Sequence, residues 1–460
     1  MPIPPLAGLC TYEEAARLGC GVDDTVRLLV RCAWVKKRLM EYGLYWLNPT
    51  PDWEVKEALS LHLYLDADHA AMLRRRVGEM RNPPPRLDIA PDAKLDAFLD
   101  EVLRAADTLE KLVGVYGVLR PALLASCRQH YDKTNPLVDY PTRRLLRTLI
   151  AEDEEAVAWG AAAIDAVSAT DGQRERAAAW AAHLHAYLLA AGGISGADAA
   201  PAGAELPAPR AAAPYQPDYF PRRDGRFRQQ GNFVFPPHEV ARMAGVPADE
   251  RTLALMCKRT LEMDVPEAMA RMIAEAGPQP WEFYVDMCRQ LWDEARHAMM
   301  GSVYFEARGI DWRGEIPLHP GFAIRLNKHM SPLEAHAVLY TIEQSLMPAD
   351  TGKKYEWTTA DEAHDPLAKL FQDFDWADEV LHVHIGRQWG LAASGLSRED
   401  FVKLGQRRAI ESENVLTAYA DPAEQVNWWP AFVRLALGKD TAADGAHFDT
   451  SDPVYRRATP

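Results

Sequence analysis

The chain has 460 residues, 48% of them hydrophobic and 25% charged, a composition that suits a globular protein of two or three domains at ~100–200 residues each. Its 51 Lys and Arg against 66 Asp and Glu leave a net charge of −15 with no compensating basic stripe, which disfavours a non-specific nucleic-acid binder or a protein of anionic membrane surfaces. The opening Met-Pro-Ile-Pro-Pro-Leu lacks a positive region followed by an apolar one, and no apolar run reaches the ~18–20 residues needed to span a bilayer, so the expected location is cytoplasmic.

Apolar residues recur at spacings of three and four, and β-branched runs are scarce, which predicts an all-α protein. Residues 1–190 read as a helical domain, opened by the capping box Thr11-Tyr-Glu-Glu14. Cys10, Cys20, Cys32, Cys127, Cys257 and Cys288 are scattered with no CxxC, and read as reduced core thiols. Residues 191–235 begin with a stretch of Gly, Ala and Pro that has too few large apolar groups to repay ordering, and are expected to form a linker. A second domain is expected over 236–437. It contains a helix through Glu262 to Ala276, a break at Gly277-Pro-Gln-Pro280, and a helix from Trp281 to about Arg308. After an irregular stretch to Met330, the capping box Ser331-Pro-Leu-Glu334 starts a helix to about Met347, and a fourth runs from about Asp365 to Leu391. Residues 438–460 read as a flexible tail.

The chemistry-bearing residues are Asp293-Glu294-Ala-Arg-His297 and Asp378-Glu379-Val-Leu-His382. Positions i and i+3 share a helix face, so each Glu can address one metal cluster together with its His. Glu262 lies fifteen residues before Gly277 and Glu294 fourteen after Pro280, which puts them at one height in an antiparallel hairpin. Glu343 supplies the carboxylate of the third helix. Glu262, Glu294, His297, Glu343, Glu379 and His382 thus form a set of four carboxylates and two imidazoles, suited to two divalent first-row ions. Asp293 and Asp378 are candidates to hold the outer imidazole nitrogens. Pro266 removes an amide four residues after Glu262, so the first helix either kinks there or starts later. In the second case Asp264 caps it and Glu267 is the ligand; Glu262 is favoured for its height match. His336 and Asp375 extend the same faces, and Tyr340 is the candidate catalytic side chain. The alternative for all these residues is ordinary salt bridging, with Lys258, Arg259 or Arg296 as partners.

Over roughly residues 240–392 these motifs resemble the ferritin-like di-iron carboxylate proteins, most nearly an uncharacterised bacterial ferritin-like family related to the tRNA-modifying hydroxylase. The resemblance implies a ferritin-like four-helix bundle, the six ligands above, two iron ions, with manganese accepted by the same donors, and dioxygen-dependent oxidation or hydroxylation of a small organic substrate. The acidic charge speaks against an RNA substrate.

The N-terminal half reads as a degenerate copy of the same bundle. Trp53 precedes Asp66 by thirteen residues, as Trp281 precedes Glu294. Asp66 and His69 then match Glu294 and His297, Tyr116 matches Tyr340, and Leu119 replaces Glu343. Trp34 falls at the position of Glu262, and near Glu154 the partner histidine is replaced by Ala156 or Val157. Asp66 and His69 are expected to be a helix-surface pair, and the copy to pack on the catalytic bundle, cap its entrance or form a homodimer. Two further functions stay open: an iron-binding, ferroxidase-type protein without organic substrate, and a non-catalytic helical interaction protein.

Overall fold

The computed structural model describes residues 3–198, 205–233 and 237–443. Helix dominates, and no strand occurs among the described residues. The chain divides into two compact units, one of residues 1–42 and 62–217, the other of residues 43–61 and 218–460.

The first unit is built on α1 (Val22–Trp46) up to Tyr42, α2 (Trp53–Met80) from His62, α3 (Ala93–Leu103), α4 (Arg120–Lys133), α5 (Tyr140–Val167) and α6 (Asp171–Ala190). Side-chain caps set three of the starts. Asp92 accepts from Leu95 N, Asp139 from Thr142 N, and Thr170 forms a capping box with Gln173. Leu29, Val35, Leu63, Leu73, Phe98, Leu119 and Leu149 are fully buried, each stabilising the unit by about 1.5–3 kcal/mol relative to exposure. Part of the expected linker is held down. Ile194 is buried, and Arg31 Nε donates to its carbonyl at 2.7 Å.

Charge also enters this core. Asp66 and His69 are buried and do not form a surface pair. Asp66 Oδ1 lies 2.9 Å from Lys36 Nζ, and Asp153 Oδ1 lies 2.8 Å from the same atom. Arg120 contacts Asp66 at 2.5 Å and Asp153 at 2.8 Å. The helix periodicity is satisfied because two anions and two cations enter the interior together.

The second unit takes in residues 43–61 because Trp53 packs its ring against Phe227 and Trp312, with centroids 5.0 and 5.5 Å away. Its helices are α7 (Ala248–Leu261), α8 (Asp264–Ala274), α9 (Trp281–Glu306), α10 (Gly321–His329), α11 (Pro332–Ser345), α12 (Lys353–Glu362), α13 (Pro366–Ile385), α14 (Arg398–Glu411) and α15 (Trp429–Leu437). α9 follows the Gly277 turn, whose φ of +76° suits glycine. Ser331 and Glu334 form the expected capping box of α11, and Asp365 caps α13 by accepting from Ala368 N. The expected first helix is broken in two: α7 ends at Leu261 and α8 starts at Asp264, with Pro266 in its first turn, where its missing N–H costs nothing. Asp264 caps a different helix. Its carboxylate accepts from Phe322 N and Ala323 N, the first turn of α10, which lies within the stretch expected to be irregular. α7 packs on α9, α9 on α13, and α13 on α11. From residue 444 the expected tail lies outside the described residues.

Candidate metal centre

Glu262 stands at the end of α7, Glu294 and His297 on α9, Glu343 on α11, and Glu379 and His382 on α13. The structure brings all six together. One donor atom from each of Glu294, Glu343, Glu379 and His382 lies within 4.8 Å of the others, and the same holds for Glu262, Glu294 and His297. The two groups share Glu294, whose Oε1 is 3.2 Å from His382 Nδ1 and whose Oε2 is 3.6 Å from His297 Nδ1. His382 Nδ1 also faces Glu379 Oε2 at 3.5 Å and Glu343 Oε1 at 4.0 Å. His297 Nδ1 faces Asp375 Oδ1 at 3.4 Å and Glu262 Oε2 at 3.9 Å. The imidazole centroids are 5.9 Å apart.

The outer imidazole nitrogens face aspartates crosswise. His297 Nε2 is hydrogen-bonded to Asp378 Oδ2 at 3.1 Å, while His382 Nε2 lies 3.6 Å from Asp293 Oδ2 without a hydrogen bond, so each aspartate faces the histidine of the opposite helix. Arg296 ties the two aspartates together at 2.6 and 2.7 Å. A ring fixed through Nε2 presents Nδ1 to the centre, the orientation a metal-ligating histidine requires.

Close helix packing sets the spacing. A Cβ on Gly301 would lie 2.6 Å from Thr260 N, so this glycine lets α9 approach α7 beside Glu262. Gly386 does the same for Tyr340, whose Cδ2 would be 2.6 Å from an added Cβ, and Gly390 for His336. His336 is thereby packed against α13's continuation and belongs to none of the ligand groups. Tyr340 is fully buried against Phe401, and its hydroxyl has no hydrogen-bond partner.

Glu267 is placed elsewhere. Fully buried, it pairs with Lys56 Nζ at 2.7 Å and with both Arg223 Nη atoms at 2.5 and 2.8 Å, which commits its charge to that cluster. Glu262 is the first-helix carboxylate beside His297.

Three residues that the ligand spacing does not reveal complete the surroundings. Arg259 Nη1 lies 2.8 Å from Glu262 Oε2 and 2.5 Å from Asp375 Oδ1. Lys353 Nζ lies 2.8 Å from Asp375 and 2.8 Å from Glu379 Oε1. Glu356 accepts from Lys258 at 2.8 Å and from Arg259 at 3.2 Å. Arg259, Lys258 and Arg296 were foreseeable as salt-bridge partners. Lys353 and Glu356 were not, because the buried residues of α12 are Lys353, Glu356, Thr359 and Ala360, with a single small apolar side chain among them.

The electrostatics show where positive charge is lacking. Burial, and next the Glu379 charge, push the Glu343 carboxyl well above its usual range. Burial raises Glu262 to about 7 despite Arg259. Burial opposes charge on His297, yet Asp375, Asp378 and Glu294 together lift it to about 9, and His382 rises likewise beside Asp293, Glu294 and Glu379. The raised groups mark negative charge that the fixed cations leave uncompensated. Both Nδ1 atoms are buried and without a hydrogen-bond partner, as is Glu379 Oε2. Such orphaned polar atoms are costly unless something binds them, and the mixed carboxylate–imidazole set could hold divalent first-row ions. In the first unit the corresponding group of Asp66, His69 and Asp153 is different, since Lys36 and Arg120 already stand on its carboxylates.

Among the described residues no helix is long and apolar enough to cross a membrane. Comparison with protein-family models, curated proteins and solved structures gives no match for this chain.

Proposed function

We propose that this protein is a dinuclear-metal oxidoreductase of ferritin-like architecture, which uses two iron ions, or manganese in their place, to oxidise or hydroxylate a small organic substrate with dioxygen in the cytoplasm. The observation that carries the reading is the pair of buried Nδ1 atoms without hydrogen-bond partners, each facing carboxylates from more than one helix. Glu294, whose two oxygens face the two imidazoles, would serve both ions. Glu343, Glu379 and His382 would hold one, and Glu262 and His297 the other. Bound iron would supply the electrons for dioxygen reduction. The chain's own contribution is positional: Asp378 holds the His297 ring and Asp293 faces the His382 ring, and the burial of Glu294, His297, Glu343, Glu379 and His382 keeps bulk water from the centre. Tyr340 is assigned to the substrate side, because its free hydroxyl lies on the helix face of Glu343 one turn away.

We read the first unit as a degenerate copy of the second. In support, Asp153 and Gly160 are seven residues apart, as are Glu379 and Gly386. A Cβ on Gly160 would collide with Tyr116, as one on Gly386 would with Tyr340. This register makes Asp153 the surviving carboxylate and Ala156 the replacement for His382. Tyr116 donates to or accepts from His62 at 2.7 Å, whereas Gln290, in the equivalent place, donates to Glu343.

The test is metal content. After anaerobic reconstitution with ferrous iron, close to two equivalents per chain are expected, and Glu294→Ala with His297→Ala should abolish binding. Less than one equivalent in the unsubstituted protein overturns the reading.

A further inference from the structure

We propose that the two metal positions load unequally: the one beside His382 takes the first ion, and the one beside His297 takes the second only as its carboxylates are released from Arg259 and Lys353. This rests on the dimetal reading above.

The two halves of the centre differ in who already neutralises their oxygens. Around His382, no lysine or arginine forms an ion pair with Glu294 or Glu343 among the described residues. The neighbour of Glu343 Oε1 is the Gln290 amide, which donates at 3.1 Å and carries no charge. Around His297, two of the three carboxylate oxygens that face Nδ1 are atoms that a guanidinium also holds, the third being Glu294 Oε2. Glu262 Oε2 and Asp375 Oδ1 lie 3.9 and 3.4 Å from Nδ1, and 2.8 and 2.5 Å from Arg259 Nη1. Lys353 Nζ adds a second full charge on Asp375 and on Glu379 Oε1, each at 2.8 Å. Glu379 turns its other oxygen to His382, so the lysine burdens only the far side of that carboxylate.

Arg259 is buried and cannot lose its proton, so a divalent ion entering beside His297 meets a fixed positive charge across shared ligands. An ion beside His382 meets no such fixed charge on Glu294 or Glu343, whose charged neighbours are imidazoles. The first unit shows the same competition carried to completion, with Lys36 and Arg120 holding both available carboxylates.

Equilibrium dialysis of the full chain against manganese(II), read by elemental analysis, should resolve one tight equivalent and a second at least tenfold weaker. Lys353→Met keeps the length and removes the charge; it should tighten the second equivalent about tenfold and leave the first within threefold. Lys353→Gln serves if the methionine variant does not fold, and circular dichroism decides which is used. Glu343→Gln should remove the tight equivalent. Two equivalents of equal affinity, or a lysine variant with an unchanged second equivalent, overturn this inference alone. No manganese bound at any concentration overturns the dimetal reading and this inference with it.

Discussion

Lys36→Met tests whether buried charge in the first unit is balanced pair by pair. Lys36 is fully buried, and its Nζ sits 2.9 Å from Asp66 and 2.8 Å from Asp153. Arg120 is the other cation of the cluster, at 2.5 and 2.8 Å from the same two carboxylates. Lys36→Met retains the volume and leaves two anions sharing one guanidinium. Breaking a buried ion pair from one side costs about 3–5 kcal/mol, a large share of the ~5–15 kcal/mol that stabilises a typical domain. The double variant Lys36→Met/Asp153→Leu restores balance between Arg120 and Asp66 and should recover to within about 1–2 kcal/mol of the parent, because removing both partners leaves no orphaned charge. Urea denaturation followed by circular dichroism measures both. A loss below about 1 kcal/mol in the single variant, or a double variant as unstable as the single, refutes the pairwise account.

Glu262→Gln should lose one metal equivalent while folding normally, whereas Glu267→Gln should keep both equivalents and lower the melting temperature, since it leaves Lys56 and Arg223 underpaired; the opposite pattern would make Glu267 the ligand. Asp378→Asn, which weakens the hold on His297 Nε2, should reduce affinity for the ion beside His297 by roughly 10–100-fold, visible by dialysis. Gly301→Ala should cost about 1–3 kcal/mol by thermal denaturation, because its Cβ would lie 2.6 Å from Thr260 N; an unchanged melting temperature would show that α7 and α9 can separate freely. His319 is buried, and burial, then Arg223, depress it to about 4, so the folded chain binds fewer protons than the unfolded chain. Its contribution is complete above about pH 6.5 and lost at up to ~1.4 kcal/mol per pH unit on descent to about 4. Melting temperatures at pH 7.5 and 5.0 should therefore differ less for His319→Gln than for the parent, and equal differences would count against this linkage.

The helices that carry the candidate ligands were legible because their ends are written in local chemistry: Pro280 before α9, the Ser331–Glu334 box before α11, and Asp365 before α13. Spacing then put each Glu and His on one face. What the sequence concealed is the burial of charge. Lys353, Glu356, Thr359 and Ala360 are the buried residues of α12, a pattern that reads as solvent-exposed to any argument from hydropathy. α10 was hidden for another reason, since its start is capped by Asp264, a residue 58 positions away. Asp66 was misread as exposed because its counter-charges, Lys36 and Arg120, come from other helices.

A helical core admits a carboxylate only beside a compensating charge, and the two units meet this requirement to different degrees. In the first, Asp66 and Asp153 are matched by Lys36 and Arg120, and the chain is self-sufficient. In the second, Glu262, Glu294, Glu343, Glu356, Asp375 and Glu379 gather around Lys258, Arg259 and Lys353, six carboxyl groups to three fixed cations. The cations crowd one side, on Glu262, Glu356 and Asp375, while Glu294 and Glu343 receive none. The deficit is therefore localised, and it lies where two imidazoles face Asp293 and Asp378 with their inner nitrogens bare. A purely structural salt-bridge cluster would gain from a lysine or an arginine on Glu294 and Glu343, as Asp66 and Asp153 have in Lys36 and Arg120. Histidines standing instead beside uncompensated carboxylates are the arrangement expected if the missing charge comes from bound metal.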